Sequence, residues 1–169
     1  MTTPGSPRTR AVVLLTGMSG TGKSSVLEEL ARRGHRVVDT DDPGWVSRAP
    51  SVEGTEPLWD LERVRSLLRG HTRGYLFVAG CVRNQGVLYD HFDQVVLLSA
   101  PPEVVLARVA GRGNPFGSTP EDRAAIAGDL AVFEPVLRAR ADHEIVTTAP
   151  LSVVADDVER LAAVVATST

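Results

Sequence analysis

One lysine and one short glycine-rich segment carry the clearest chemistry in this sequence. Residues 17–24 read Gly17-Met18-Ser19-Gly20-Thr21-Gly22-Lys23-Ser24, a G-x-x-x-x-G-K-[ST] pattern set between an apolar run and a helical pattern. Gly17, Gly20 and Gly22 let the backbone curl, so that the amides from Ser19 and Thr21 through to Ser25 point at one anion. The helix N-terminus adds the positive end of its dipole. A lysine here reaches the β- and γ-phosphates of a nucleoside triphosphate, and the Ser24 hydroxyl suits Mg²⁺. Of 18 basic residues 17 are arginine, and the single lysine is Lys23. A compact ammonium on a flexible stem does what a planar guanidinium does not. A glycine-rich turn that only caps a helix is the alternative, and it leaves that placement unexplained.

Acidic and polar residues follow at two further points. Asp39-Thr40-Asp41-Asp42 closes a short apolar run, where carboxylates can hold a metal-bound water or accept a proton from a hydroxyl. A polar turn into Pro43-Gly44 is the other reading. Gly80-Cys81-Val82-Arg83-Asn84-Gln85-Gly86 follows another apolar run. Arg83, Asn84 and Gln85 could hydrogen-bond a polar acceptor, or Asn84 could cap a helix. Trp45 and Trp59 could wall an acceptor pocket or pack in the core. Cys81 reads as a small buried residue, because no histidine pattern accompanies it. His35, His71, His91 and His143 lack metal-ligand spacing, so no zinc site is expected.

The elements that must position these residues alternate. Apolar runs at Arg10–Thr16, Arg36–Asp39, Tyr75–Ala79, Gln94–Ser99 and His143–Val146 predict five strands. Helical spacing predicts helices from Gly22 to Arg33 and from about Pro57 to Arg69, with Leu58, Leu61, Val64, Leu67 and Leu68 on one face. A short helix is expected near Val87–His91. Three more are expected: Pro102 to Arg112, Thr119 (as cap) to Arg140 with a bend at Pro135, and one capped by Ser152. Residues 40–55 read as a long loop rich in Asp, Pro, Gly and Ser. Such alternation predicts α/β architecture, a mostly parallel sheet with helices on both faces. In such sheets ligands gather at the carboxyl edge, where the glycine loop and the Asp39–Asp42 cluster both fall.

Length and composition set the frame. The 169 residues fit one domain, with residues 1–9 a loose tail and 111–119 a loop. A net charge of -3 gives no reason to expect nucleic acid or an anionic membrane as partner. No apolar run is long enough to span a bilayer. The single cysteine allows no internal disulfide, and a cytoplasmic location is expected.

The glycine loop together with Asp39-Thr40-Asp41 resembles the shikimate kinase and gluconate kinase group of small P-loop kinases, whose wider kin are adenylate kinase-like. The resemblance spans nearly the whole chain in element order and size. It implies a three-layer P-loop NTPase fold, a five-stranded parallel sheet in order 2-3-1-4-5, a short lid, and phosphoryl transfer from ATP with Mg²⁺ to a small-molecule acceptor. It implies that Asp39 supports Mg²⁺ beside Ser24, and that Asp41 contacts or activates the acceptor. Arg108 would then lie against the adenine or phosphates, Arg112 would reach the transferred phosphate, and Asn114–Gly117 would form the lid tip. A solvated arginine face is the other reading of this pair. Thr147-Thr148-Ala149-Pro150 resembles the adenine-contacting loop, with Thr148 and Pro150 as contacts, or is a plain strand-to-helix turn.

The pattern departs at three places. Phe133 stands where a carboxylate-gripping arginine is expected before Pro135, which argues against shikimate. Ala79-Gly80-Cys81 replaces a triple glycine, and no Asp closes the third expected strand. The expected function is therefore an ATP-dependent kinase acting on a small acceptor hydroxyl. A nucleoside monophosphate kinase and a nucleotide-binding regulatory module with slow hydrolysis are the alternatives.

Overall fold

The computed structural model describes residues 9–111 and 117–167. Five strands form the main sheet: β1 (Arg10–Thr16), β2 (Arg36–Asp39), β5 (Gly74–Ala79), β6 (Gln94–Ser99) and β7 (His143–Val146). All pairings are parallel, in the order β2-β5-β1-β6-β7. This is the expected 2-3-1-4-5 order once two intervening strands are set aside.

Those two strands overturn one expectation. β3 (Val46–Ser51) and β4 (Gly54–Trp59) form a separate antiparallel hairpin where a loop and a helix start were expected. The turn falls at 52–53, and Gly54 follows with φ 129°, a left-handed value natural to glycine. The helix α2 therefore starts late, at Leu61–Gly70, with Asp60 as its cap accepting from the Arg63 amide. Pro57 and Leu58 lie on a strand.

The remaining helices are α1 (Lys23–Arg32), α3 (Pro102–Ala110), α4 (Pro120–Arg140) and α5 (Leu151–Thr167), with a 3-10 segment at Gln85–His91. Thr119 caps α4 by accepting from the Asp122 amide. Ser152 does not cap α5. The helix starts at Leu151, and the Pro150 carbonyl accepts from Val153 and Val154.

Alternating side chains of β1 build two cores. Ala11, Val13 and Leu15 meet Val26, Leu27 and Leu30 of α1 and Val154, Val158 and Ala162 of α5. Val12 and Leu14 meet Val64 and Leu68 of α2, Trp59 of the hairpin and Leu88 of the 3-10 segment. A third cluster joins Val105 and Val109 of α3 to Leu130 of α4. Burying both sheet faces fixes the sheet rigidly, so loops at its carboxyl edge have a firm base. Among the described residues no helix is long and apolar enough to cross a membrane.

Candidate active site

Strand β1 ends at Thr16, and the loop turns at once under a close constraint. A Cβ on Gly17 would run into the Leu98 carbonyl oxygen of β6, so only glycine lets the loop leave between these strands. Gly22 caps α1 with φ 101°. Lys23 folds back onto the loop. Its Nζ donates to the Gly17 carbonyl at 2.5 Å and the Met18 carbonyl at 3.1 Å. The cation thus sits beside the amide-lined curl, ready to exchange carbonyls for phosphate oxygens.

Ser24 and Asp39 meet across the top of the sheet. Ser24 Oγ donates to Asp39 Oδ2 at 3.0 Å, and Asp39 Oδ1 accepts from the Asp41 amide at 3.0 Å. The parallel pairing of β2 and β5 brings this about by ending both strands at one level, Asp39 opposite Ala79. A hydroxyl and a carboxylate at this separation are a hard oxygen donor set that fits Mg²⁺ completed by phosphate oxygens and water. No cluster of three or more His, Cys, Asp or Glu that could hold a metal by itself occurs among the described residues.

A small cavity of about 150 Å³ is lined by Ser19, Gly20, Gly22, Lys23, Ser24, Asp41 and Cys81. Asp41 is exposed and faces this space. Cys81 is half-buried rather than a core residue. A larger cleft of about 420 Å³ is lined by Gly22, Ser25, Val26, Arg108, Gly111, Thr147, Ala149, Leu151 and Val154. Gly22 lines both spaces, so they adjoin.

Arg108 and Thr147 close one wall of the cleft together. Arg108 donates from Nη1 to Thr147 Oγ1 at 2.9 Å and from Nη2 to the Thr147 carbonyl at 2.6 Å. Thr147 Oγ1 donates in turn to the Thr21 carbonyl at 2.6 Å. The loop after β7 is thereby stitched to the glycine loop. Of the loop Thr147-Thr148-Ala149-Pro150, Thr147 and Ala149 line the cleft, joined by Leu151 of α5.

The hairpin and the segment after β5 lock together. Asn84 accepts from the Trp59 amide at 2.9 Å and donates to the Trp59 carbonyl at 3.0 Å. Its amide is therefore engaged at both ends with the hairpin backbone. Trp59 Nε1 donates to Thr40 Oγ1 at 3.0 Å, and Thr40 donates to the Ala79 carbonyl at 2.8 Å. Trp59 is 2% exposed and is a core residue, whereas Trp45 stays half-buried. Trp45 lines a groove of about 330 Å³ with Ser24, Asp39 and Asp42, and Arg63 stacks on its ring at 4.8 Å. Gln85 joins the same lock, donating to Thr16 Oγ1 at 2.9 Å and accepting from the Val82 amide. Arg83 forms an ion pair with Glu56 of the hairpin, a partner that no sequence pattern marked. Arg112 and, of the expected lid tip Asn114–Gly117, residues 114–116 lie outside the described residues.

Strand, glycine loop, helix and parallel sheet define a P-loop nucleotide-binding fold. The chain belongs to the AAA_18 family, an AAA domain, which matches residues 13–127. The curated relative HPr kinase/phosphorylase of Xanthomonas campestris pv. campestris (strain B100) is 50% identical over 58 residues, 32% of this chain and 18% of the relative. The chain thus matches about a fifth of that relative's length. Among solved structures, a shikimate kinase from Acinetobacter baumannii superposes with TM-score 0.61 at 21% identity, covering 91% of this chain and 93% of that one. A sugar kinase from Janibacter sp. HTCC2649 gives TM-score 0.52 at 20% identity, covering 92% and 97%. The expected likeness to small P-loop kinases holds at the level of the fold.

Proposed function

We propose that this protein is a magnesium-dependent, ATP-using kinase that phosphorylates a hydroxyl group on a small molecule other than shikimate. The observation that carries this reading is Asp41, an exposed carboxylate lining the same small cavity as Lys23 and Ser24. A nucleotide switch needs the glycine loop and the metal ligands, but it needs no carboxylate aimed at the terminal phosphate.

The cleft beside Arg108 and Thr147 would take the base of ATP, and the glycine loop its phosphates. The amides of residues 20–25 and Lys23 hold the β- and γ-phosphates. Ser24 and Asp39 would hold Mg²⁺, which would supply neutralising charge to the phosphates. Asp41 orients the acceptor hydroxyl and takes its proton. The acceptor oxygen bonds to the γ-phosphorus, the bond to the β–γ bridging oxygen breaks, and ADP leaves with that electron pair. Positioning and charge stabilisation do most of the work in such transfers. Arg112 is assigned to the transferred phosphoryl group by resemblance.

A panel of hydroxyl-bearing metabolites tests this, with ADP release as the readout. At least one acceptor should raise release well above the rate with water alone. Asp41→Asn should remove that rise, by about a hundredfold or more, while ATP still binds. If no acceptor raises release and Asp41→Asn behaves as wild type, the regulatory-module alternative replaces the kinase.

A further inference from the structure

We infer that Trp59 and Thr40 are positioning residues for phosphoryl transfer, and that the end of the hairpin fixes where Asp41 stands. The inference rests on the kinase reading above, in which Asp41 meets the acceptor hydroxyl.

Asp41 lies just past the end of β2, in the exposed segment 41–44. Phosphoryl transfer depends on placement, and a displacement of about 1 Å can cost about a hundredfold in rate. Two consecutive residues, Trp59 and Asp60, hold this segment at its two ends. At its start, Trp59 Nε1 donates to Thr40 Oγ1 at 3.0 Å, and Thr40 Oγ1 donates to the Ala79 carbonyl at 2.8 Å. At its far end, the Asp60 amide donates to the Trp45 carbonyl at 2.9 Å. Arg63, in the first turn of α2, lies over the Trp45 ring and against Gly44.

The tie at Thr40 is shielded from solvent. Thr40 is fully buried and Trp59 nearly so, and a hydrogen bond in such surroundings is stronger than one in water. A Cβ on Gly80 would collide with the Thr40 hydroxyl and crowd the Trp59 ring, so the close approach needs glycine there. The Thr40 amide donates to the Ala79 carbonyl at 2.9 Å, and beyond that bond the chain leaves the sheet. The indole therefore grips the chain at its exit. The grip reaches both carboxylates of the site. Asp41 follows Thr40 directly, and its amide donates to Asp39 Oδ1 at 3.0 Å. Turning Thr40 would move Asp41 and loosen Asp39, whose other oxygen accepts from Ser24. Bonds that orient a metal-binding carboxylate matter to the metal nearly as much as the carboxylate itself.

The test uses the intact chain with ATP, Mg²⁺ and whichever hydroxyl-bearing metabolite of the panel gives the most ADP release. Trp59→Phe keeps an aromatic ring and removes the donor. Thr40→Val strands the buried indole donor, so it should also melt earlier. The double variant replaces both partners by apolar groups, which should return most of the melting temperature lost in Thr40→Val. In all three, kcat should fall about tenfold or more, while ATP affinity without Mg²⁺ stays within about twofold of wild type. Thr40→Ser keeps the hydroxyl and should keep kcat. A double variant that recovers kcat together with its melting temperature overturns the inference, because the bond then serves the fold alone. Wild-type kcat in Trp59→Phe overturns it too, and that variant strands no donor, so it stays readable if Thr40→Val does not fold. If no metabolite raises ADP release in the wild-type protein, the kinase reading fails, and the grip is judged through Asp39. The Mg²⁺ concentration that half-saturates binding of a fluorescent ATP analogue should then rise about tenfold in Trp59→Phe and in the double variant. An unchanged midpoint overturns the inference.

Discussion

Ser24 Oγ and Asp39 Oδ2 lie 3.0 Å apart, joining the second residue of α1 to the last residue of β2. Fifteen residues separate them in sequence. The contact brings a hydroxyl and a carboxylate from α1 and β2 together at the carboxyl edge of the sheet.

Removing either oxygen should therefore weaken metal-dependent nucleotide binding. Ser24→Ala and Asp39→Asn should each lower ATP affinity in the presence of Mg²⁺ while leaving the metal-free affinity nearly unchanged. A loss of about tenfold corresponds to roughly 1.4 kcal/mol. Titration of a fluorescent ATP analogue with and without Mg²⁺ checks this. Equal losses in both conditions would show that the pair only holds the fold.

The bonds between Arg108, Thr147 and Thr21 make the donor cleft a clasp between distant segments. Thr147→Val keeps the shape and removes the hydroxyl that serves both Arg108 and the Thr21 carbonyl. Leaving buried groups unpaired costs about 1–3 kcal/mol. Both the melting temperature and nucleotide affinity should fall, and Thr147→Ser should recover most of each. A serine variant as impaired as valine would point to packing of the methyl group instead.

Asn84 should matter for stability rather than acceptor binding. Asn84→Ala leaves the Trp59 amide and carbonyl without their partner, a loss of about 1–3 kcal/mol. Chemical denaturation followed by tryptophan fluorescence measures it. An acceptor KM that rises with stability unchanged would return Asn84 to the acceptor site.

Glu144 supplies a pH test away from the site. Hydrogen bonds from the Arg138 guanidinium hold its carboxyl below the usual carboxylate range, aided by Ser99 and opposed by burial. A carboxyl whose folded pKa lies below its unfolded value stabilises the protein above that unfolded value, and the gain is lost as pH falls through the folded one. The pair is partly exposed, so screening limits it to about 1 kcal/mol or less. Glu144→Gln should therefore melt earlier than wild type at neutral pH, with the gap closing below about pH 4, the ordinary carboxylate range. A gap that persists at lower pH would mean that Glu144 acts by shape alone.

What the sequence revealed follows from how local each feature is. The glycine loop is contiguous, so its eight residues carry strand exit, anion cradle and helix start in one reading. The five sheet strands announce themselves as apolar runs because both faces are covered. The hairpin did not, since Leu58, Leu61, Val64, Leu67 and Leu68 keep helical spacing straight through the β4–α2 boundary. Only Leu61, Val64, Leu67 and Leu68 are helical, and Trp59 owes its burial to partners on Thr40 and Asn84. The bonds that Thr147 and Glu56 make were equally hidden, although Thr147 opens the loop that the sequence marks after the last strand. Each gets its role from residues far along the chain, Thr21 and Arg108 in one case and Arg83 in the other. Composition marks such residues only as polar.

The hairpin pairs only with itself, so each of its strands has one side without a neighbour. Each strand also contains one exposed proline, Pro50 in β3 and Pro57 in β4. A prolyl nitrogen has no hydrogen to offer, and proline survives in a ladder where its donor would have faced outward. Both outer margins are thus interrupted for a foreign chain that would add a strand there. A two-stranded ribbon built this way resists growing into a larger sheet by edge-to-edge addition.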